Sequence, residues 1–198
     1  MARTSAQLTG PEWGWIAGAG AAVVHFLNEP ERQGDLPPER AAALWRERML
    51  AGLRWPSGGR TKLVGPSVAS DDAGRVWLRA FMGHLRRDQG EWPDFLGAHY
   101  YGTDAGAARQ YLEGLRGEFG LDVVVSEVAC VAREPARVAR FTADLANWMD
   151  ATPWIVEYGF FGCMAGLADD VSCAAAPPPC GCLTVGDGPS ERLTGGSL

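Results

Sequence analysis

The sequence lacks the long apolar runs and the excess of positive charge that would assign it to several common classes of protein. No apolar stretch among its 198 residues reaches the roughly 18–20 residues needed to cross a membrane. Residues 1–15 lack the apolar segment of a secretory signal peptide. Acidic residues outnumber basic ones by 24 to 18, and the net charge of −6 disfavours binding to a nucleic-acid backbone. We therefore expect neither a membrane span nor a nucleic-acid partner.

Histidine and cysteine, which often bind metals, are not spaced as metal ligands. The three histidines, His25, His84 and His99, are scattered along the chain. Cys180 and Cys182 are closer together than zinc ligands usually are, and no histidine lies near them. We predict no metal site and no other cofactor.

All five cysteines lie in the C-terminal third of the sequence, and their odd number leaves at least one thiol unpaired within the chain. They are Cys130, Cys163, Cys173, Cys180 and Cys182. Residues 163–198 are rich in Gly, Pro and Ser, which predicts a surface loop. Cysteines in such a loop fit one or two disulfides in a secreted protein, with the pairing open.

Apolar runs bounded by turn residues alternate with segments of helical periodicity. The apolar runs predict strands at residues 23–28, 62–66, 95–101, 122–128 and 154–161. The periodic segments predict helices at residues 38–54, 73–87, 105–119 and 135–149. Apolar strands separated by helices are typical of an α/β fold with a parallel sheet. An open doubly wound sheet and a (β/α)₈ barrel both fit this order.

Polar and aromatic side chains lie at the carboxyl ends of four of the five predicted strands. They are Asn28 and Glu29 in the first, His99, Tyr100 and Tyr101 in the third, Ser126 and Glu127 in the fourth, and Glu157, Tyr158, Phe160 and Phe161 in the fifth. The carboxyl ends of parallel strands meet at one edge of the sheet, where α/β folds build their active sites. We therefore expect a functional site at this edge.

Glu29 and Glu127 are the pair of carboxylates that glycoside hydrolysis requires. One carboxyl group protonates the leaving oxygen, and the other attacks the anomeric carbon or activates water. A single glutamate at a strand end would more simply pair with a local arginine, but two of them beside the HYY strand end favour the catalytic interpretation. Aromatic rings suit sugars, whose C–H faces stack on π surfaces. Trp154, just before the last strand, fits either the core or a wall of the substrate site.

Five motifs in order resemble those of a known enzyme family. They are FLNEPE, GPSVAS, PDFLGAHYYG, VVVSEVAC and IVEYGFFG, followed by the C-terminal stretch CLTVGDGPSERLTGGSL. Together they resemble the fungal glycosyl hydrolase catalytic core proteins of the alkali-sensitive-linkage type, in glycoside hydrolase family 128. The resemblance implies a clan A-like (β/α)₈ TIM barrel and a retaining β-1,3-glucanase.

The resemblance also implies a role for each matching residue. Glu29 corresponds to the general acid/base, and Glu127 corresponds to the nucleophile that forms the glycosyl-enzyme. Asn28 would hold the sugar 2-hydroxyl, while His99 and Tyr101 would line the cleft around the reactive sugar. A retaining mechanism would place the two carboxyl groups roughly 5–5.5 Å apart.

The last strand departs from the family pattern. The family usually has Tyr-Ala-Trp-Phe there, with Trp where this chain has Phe160, and Thr-Glu-Phe where this chain has Ser126, Glu127 and Val128. We predict that Tyr158, Phe160 and Trp154 contribute to substrate binding, with Phe160 stacking less extensively than a tryptophan would.

The position of the NEP motif implies an incomplete barrel. In the family this motif ends the fourth barrel strand, so the resemblance covers strands four to eight and leaves three β/α units without a counterpart. We expect an irregular or non-homologous N-terminal segment at residues 1–21. The partial catalytic core would then occupy residues 22–198, including the C-terminal loop at 163–198.

The leading hypothesis is a retaining hydrolase of β-1,3-glucan, which would be a polysaccharide of the fungal cell wall. The first alternative is an inactive carbohydrate-binding or wall-associated fragment that keeps the cleft. The second is an intracellular α/β protein with an unrelated ligand. The family resemblance implies a secreted or cell-wall protein, and we expect a monomer.

Overall fold

Short strands alternate with helices throughout the residues that the computed structural model describes, 1–33, 36–58 and 60–162. The strands are β1 (Val23–His25), β2 (Lys62–Val64), β3 (Leu96–Gly102), β4 (Val123–Cys130) and β5 (Ile155–Phe160). The helices are α1 (Ser5–Thr9), α2 (Glu12–Gly18), α3 (Pro38–Leu44), α4 (Asp72–Gly83), α5 (Ala105–Phe119) and α6 (Pro135–Asp150). Helix α3 continues as a π-helical stretch, Trp45–Arg54, and a 3₁₀ turn, Arg87–Gln89, precedes β3. The predicted alternation of strands and helices is confirmed.

Local sequence explains several helix boundaries. Pro38 and Pro135 lie in the first turns of α3 and α6, where a missing N–H costs nothing. The Asp71 carboxylate accepts the N–H of Gly74 and caps α4. Gly120, in the left-handed conformation with φ of 68°, ends α5. No helix in the described part of the chain is long and apolar enough to cross a membrane.

All strand pairs are parallel, as the sequence predicts. Strand β1 pairs with β2, and the order β3–β4–β5 forms a second sheet. Isolated bridges continue the pairing: Val64 with Phe95 and Val68 with Ala98 join the two sheets, and Ala2 with Phe26 extends the first. Over the described residues the arrangement stays open, with no closure into a barrel.

Residues 1–21, which the sequence predicts to be irregular or non-homologous, contain regular structure. The backbone of Ala2 bonds to both sides of Phe26, donating to His25 O at 2.9 Å and accepting from Leu27 N at 2.8 Å. Helices α1 and α2 follow directly, and Leu8 of α1 is fully buried. The segment thus resembles one more β/α unit. Its helices are short because Gly10 and Pro11 separate them, which is why periodicity did not reveal them.

The predicted C-terminal loop at residues 163–198 lies outside the described residues, as do Cys163, Cys173, Cys180 and Cys182 and their predicted disulfides. Cys130, on β4, is buried and has no disulfide partner in the described part of the chain.

An aromatic cluster forms the core between the first strands and α3 and α4. The Phe26 and Trp45 ring centroids lie 5.1 Å apart in an edge-to-face arrangement, and Trp77 stacks on Phe81 at 5.6 Å. Such pairs add roughly 0.5–1.5 kcal/mol beyond the burial of their area. The indole N–H of Trp45 donates to Glu91 O at 2.7 Å, so the polar group of this buried ring is paired.

Glu91 is a buried carboxylate held by two arginines. Its residue is 5% exposed, and it bonds to the Arg46 guanidinium at 2.9 Å and the Arg86 guanidinium at 2.9 Å. Arg86 N also donates to it, at 2.9 Å. These hydrogen bonds, led by the one from Arg46, lower the pKa of Glu91 from 4.5 to about 2.

Replacing Glu91 with Gln should therefore destabilise the protein in a pH-dependent way. We expect a loss of roughly 1–3 kcal/mol near pH 7 in urea unfolding, because two arginines lose their charged partner. A carboxyl group with a lowered folded pKa stabilises above its unfolded pKa and loses that contribution as pH falls. The difference between wild type and Glu91→Gln should narrow from about pH 4.5 toward pH 2.

Glu47→Gln provides the matched control for this prediction, because the Glu47 side chain is 58% exposed where it pairs with Arg48. It should change stability by less than about 0.5 kcal/mol. A deficit in Glu91→Gln that is equal at neutral and acidic pH would contradict the assignment.

The chain leaves β1 through two residues in the left-handed region of backbone space. Leu27 has φ of 53° and Glu29 has φ of 40°, although neither is glycine. Hydrogen bonds hold this path: Leu27 N donates to Ala2 O and Glu29 N donates to Ser67 O, each at 2.8 Å. Backbone strain of this kind costs on the order of 1–3 kcal/mol and is found mainly at functional sites.

The strain at Glu29 predicts an unusual order of stability among variants. Glu29→Gly should be more stable than Glu29→Ala by about 1 kcal/mol, because glycine adopts positive φ without a steric cost. Position 127, on strand β4, should show the reverse order, with Glu127→Ala more stable than Glu127→Gly by roughly 0.5–1 kcal/mol. Urea unfolding of the four variants measures both differences, and the same order at both positions would contradict the strained conformation.

Candidate active site

The structure brings Glu29 and Glu127 together at the carboxyl ends of the strands. One oxygen of each carboxylate and a ring nitrogen of His99 all lie within 4.8 Å of one another. The two glutamate side chains are 20% and 22% exposed, so each reaches solvent while most of its surface is covered. Two carboxyl groups this close suit a division of roles between a proton donor and a charged nucleophile.

Tyr101 holds the second carboxylate. It lies near the end of β3, and its hydroxyl donates to Glu127 Oε2 at 2.6 Å. The Tyr101 ring packs edge-to-face on Phe161, with centroids 5.8 Å apart. The contact with Phe161 fixes the direction of the ring, so the hydroxyl is aimed at one oxygen of Glu127.

His99 lies behind the two carboxylates and is fully buried. Its Nδ1 is 3.0 Å from Glu29 Oε1 and 3.6 Å from Glu127 Oε2. Its Nε2 is 3.1 Å from Ser126 Oγ. Burial places His99 beneath the cleft surface, where it positions Glu29, whereas the sequence predicted that it lines the cleft.

A β-bulge lets two adjacent residues of β4 reach this histidine. Ala98 pairs with Val125 and His99 pairs with Glu127, so Ser126 is an extra residue in β4. Neighbouring residues of a regular strand point to opposite faces of the sheet. The bulge turns one of the two side chains toward the face of the other. Ser126 and Glu127 therefore approach opposite nitrogens of the same ring.

The carboxylates open onto a cleft of about 390 Å³. It is lined by Glu29, Arg32, Ala69, Ser70, Asp71, Tyr101 and Glu127. Arg32 bonds to Asp71 at 2.7 Å, and its Nε is 3.9 Å from Glu29 Oε2. A hydrogen bond from Gly74 N, followed by the charge of Arg32, lowers the pKa of Asp71. One wall of the cleft is therefore an ionised pair.

Two predicted residues are placed away from this cleft. Asn28 is 8% exposed and lines a separate cavity of about 260 Å³ with Arg3 and Gln33. Trp154 precedes β5 at the opposite end of the sheet, where its carbonyl accepts from Val123 N. Its ring packs on Trp148 at 5.6 Å. The core-packing interpretation of Trp154 thus fits its position.

Tyr158 and Phe160 share one side of β5, with ring centroids 5.9 Å apart, and both pack against the core. The Tyr158 hydroxyl donates to Asp150 Oδ1 at 2.6 Å, at the end of α6, and this hydrogen bond raises the pKa of Tyr158 to about 12. Phe161, the residue that follows β5, places its ring on the cleft side, where it contacts Tyr101.

Sequence reasoning missed three residues of the site, Arg32, Asp71 and Ser67, and placed Phe161 at this edge without giving it a role. Arg32 follows the NEP motif by only two positions, and Ser67 lies in the GPSVAS motif, so proximity to the motifs was the available signal. Nothing in the sequence shows that the side chain capping α4, Asp71, also forms the cleft wall.

Glu29, His99 and Glu127 also offer the donor set of a small divalent cation, although the sequence predicts no metal site. Both ring nitrogens of His99 are within hydrogen-bond distance of other groups, Glu29 and Ser126. Ligation by His99 would require one of these bonds to break. The arrangement fits a proton-transfer pair with no such rearrangement.

Solved structures with this fold include an exo-β-1,3-glucanase of glycoside hydrolase family 128 (subgroup VI) from Aureobasidium namibiae. It is 40% identical, with a TM-score of 0.76 over 86% of this chain and 66% of that chain. A second, a subgroup V exo-β-1,3-glucanase from Cryptococcus neoformans, is 26% identical with a TM-score of 0.63 over 72% of this chain and 57% of that chain.

A third structure, a subgroup VII oligosaccharide-binding protein from Cryptococcus neoformans, shares the fold. It is 16% identical, with a TM-score of 0.65 over 81% of this chain and 65% of that chain. The chain thus spans less than two thirds of the length of each of these three structures. No sequence among the curated proteins matches it.

The family model described as glycosyl hydrolase catalytic core matches residues 13–176, which is most of the chain. The match begins within α2, ahead of the predicted start at residue 22, and includes the segments that carry Glu29, Tyr101 and Glu127. The chain belongs to the glycosyl hydrolase catalytic core family.

Proposed function

We propose that the chain is the catalytic part of a retaining β-1,3-glucan hydrolase. The observation that carries this proposal is the approach of Glu29 and Glu127, which bring one oxygen each to within 4.8 Å. Retaining glycosidases hold their carboxyl groups about 5–5.5 Å apart, whereas inverting enzymes leave roughly 6.5–9.5 Å for a water. The short approach supports direct attack by one carboxylate on the sugar.

Glu127 is the nucleophile in this proposal, and Glu29 is the general acid/base. Glu127 attacks the anomeric carbon while Glu29 gives its proton to the glycosidic oxygen of the leaving group. A water then replaces the leaving group, loses a proton to Glu29, and attacks the glycosyl-enzyme to release Glu127. Tyr101 orients the nucleophile, because its hydroxyl lies 2.6 Å from Glu127 Oε2.

The cleft walls suit a sugar substrate. Arg32, Asp71 and Ser70 offer donors and acceptors for hydroxyl groups, and Phe161 is an aromatic surface that is 40% exposed. The choice of β-1,3-linked glucan rests on the activities named for the structures that this chain resembles. We propose no substrate contact for Trp154, whose position is at the opposite end of the sheet.

A second candidate function is glucan binding without hydrolysis. A protein with the same fold is named as an oligosaccharide-binding protein, and the described sheet is open where a barrel would supply further cleft walls. A cleft with fewer walls positions a sugar less tightly, and loss of positioning reduces catalysis more than binding.

Release of reducing sugar from laminarin tests both candidates. We expect wild type to be active, and Glu127→Gln and Glu29→Gln each to lose about 10³-fold or more in kcat while still binding laminarin. Calorimetric titration measures the binding. Activity that persists in Glu127→Gln would contradict the assignment of Glu127 as the nucleophile. A wild type that binds laminarin without releasing sugar would establish the second candidate.

Tyr101→Phe tests the orientation of the nucleophile. The variant keeps the ring contact with Phe161 but loses the hydroxyl that donates to Glu127, so kcat should fall about 10²-fold with KM little changed. Tyr100→Phe is the matched control, because the neighbouring hydroxyl donates to Asp104 O at 3.4 Å, away from Glu127. Equal losses in the two variants would contradict the assigned role of Tyr101.

A further inference from the structure

Beneath the proposed acid/base lies a continuous series of hydrogen bonds through His99. Ser67 Oγ and Ser126 Oγ are 2.9 Å apart, and Ser126 Oγ is 3.1 Å from His99 Nε2. His99 Nδ1 is in turn 3.0 Å from Glu29 Oε1. The series runs from the segment after β2 through β4 to β3, and it ends on the carboxyl group at the exit of β1.

The space for this series is built into the sheet. Ser67 and His99 are both fully buried. Gly97 lies two residues before His99 on β3, and a Cβ at Gly97 would collide with Ser67 Oγ. The missing side chain at position 97 therefore provides the volume that the Ser67 hydroxyl occupies.

The surroundings of His99 determine which nitrogen carries the hydrogen in the neutral ring. Nδ1 faces two carboxylate oxygens, from Glu29 at 3.0 Å and Glu127 at 3.6 Å. A lone pair on Nδ1 would be repelled by both, so the hydrogen lies on Nδ1 and is donated to Glu29. Nε2 is then an acceptor, and its only possible donor in the series is the Ser126 hydroxyl.

We propose that Ser126, supported by Ser67, is a positioning residue that holds His99 as the Nδ1–H tautomer. The hydrogen bonds then run in one direction: Ser67 donates to Ser126, Ser126 donates to His99, and His99 donates to Glu29 Oε1. This proposal rests on the proposed function of Glu29 as the general acid/base.

The consequence is a choice between the two oxygens of Glu29. Oε1 is occupied as an acceptor from His99, whichever protonation state Glu29 has. The catalytic proton is therefore carried by Oε2, the oxygen that faces Arg32 of the cleft at 3.9 Å. Without a donor at position 126, the lone pair of the buried Nε2 would lack a partner, so the Nδ1–H tautomer would be favoured less than it is in wild type.

A pair of isosteric variants isolates the hydroxyl from the shape of the side chain. Thr and Val are both β-branched and fit a strand, but only Thr keeps a hydroxyl. We expect Ser126→Thr to retain most of the laminarin activity and Ser126→Val to lose about ten- to a hundredfold in kcat, with KM changed less than about twofold. Equal activity of the two variants overturns the proposal.

The tautomer is measured without reference to activity. The ¹⁵N shifts of histidine-labelled protein distinguish a neutral Nδ1–H ring, a neutral Nε2–H ring and a charged ring. His25→Gln and His84→Gln assign the other two signals, since the chain has three histidines. We expect neutral Nδ1–H for His99 in wild type and Ser126→Thr, and a shift away from it in Ser126→Val.

The two measurements separate this proposal from the proposed function. A wild type that is inactive on laminarin but shows the Nδ1–H ring would contradict the function and leave the tautomer assignment standing. A His99 ring that is charged or protonated on Nε2 in wild type overturns the inference, even if the enzyme is active.

Discussion

The hydrogen bond between His99 and Glu29 connects the parts of the molecule on which the site depends. Glu29 leaves β1 with a strained backbone, and a side chain on such a turn needs an external contact to fix its direction. His99 supplies that contact from β3 at 3.0 Å, from a position that no solvent reaches. Because the ring also lies 3.6 Å from Glu127, one buried side chain sets the separation of the two carboxylates.

The parallel register and its bulge make this contact possible. His99 pairs with Glu127, and the extra residue in β4 turns Ser126 and Glu127 toward opposite sides of the same ring. Tyr101, two residues further along β3, then donates its hydroxyl hydrogen to Glu127. In a regular ladder Ser126 would point to the other face, and Nε2 of His99 would be buried without a partner. The irregularity of the sheet is therefore part of the chemistry of the site.

The site is supported by parts of the fold that bear no chemistry themselves. Asp71 caps α4 with one carboxylate oxygen and holds Arg32 with the other, so the start of a helix also fixes a cleft wall. Gly97 contributes only the absence of a side chain, which leaves room for Ser67. The aromatic cluster and the Glu91 ion pairs stabilise α3 and α4 against the first strands, and this stability offsets the backbone strain at Leu27 and Glu29.

The sequence by itself determined the alternation of strands and helices, the parallel sheet and the edge at which the carboxylates meet. These follow from periodicity and turn residues, which act over a few neighbouring positions. It also predicted that Glu29, Glu127 and Tyr101 lie close together, because their strand ends converge in any parallel arrangement. The short helices α1 and α2 were not predicted, since five to seven residues are too few to show a helical period.

Only the tertiary structure decided which side chains share the cleft. Asn28 and Glu29 are adjacent in sequence, but the positive φ values around them direct the two side chains to different cavities. Phe161 reaches Tyr101, whereas Phe160 packs with Tyr158, and Trp154 lies at the far end of its strand. The contact between Ser67 and Ser126 joins residues 59 positions apart. Side-chain direction at such points depends on bulges, strained turns and contacts between distant strands, and none of these is encoded in a local pattern.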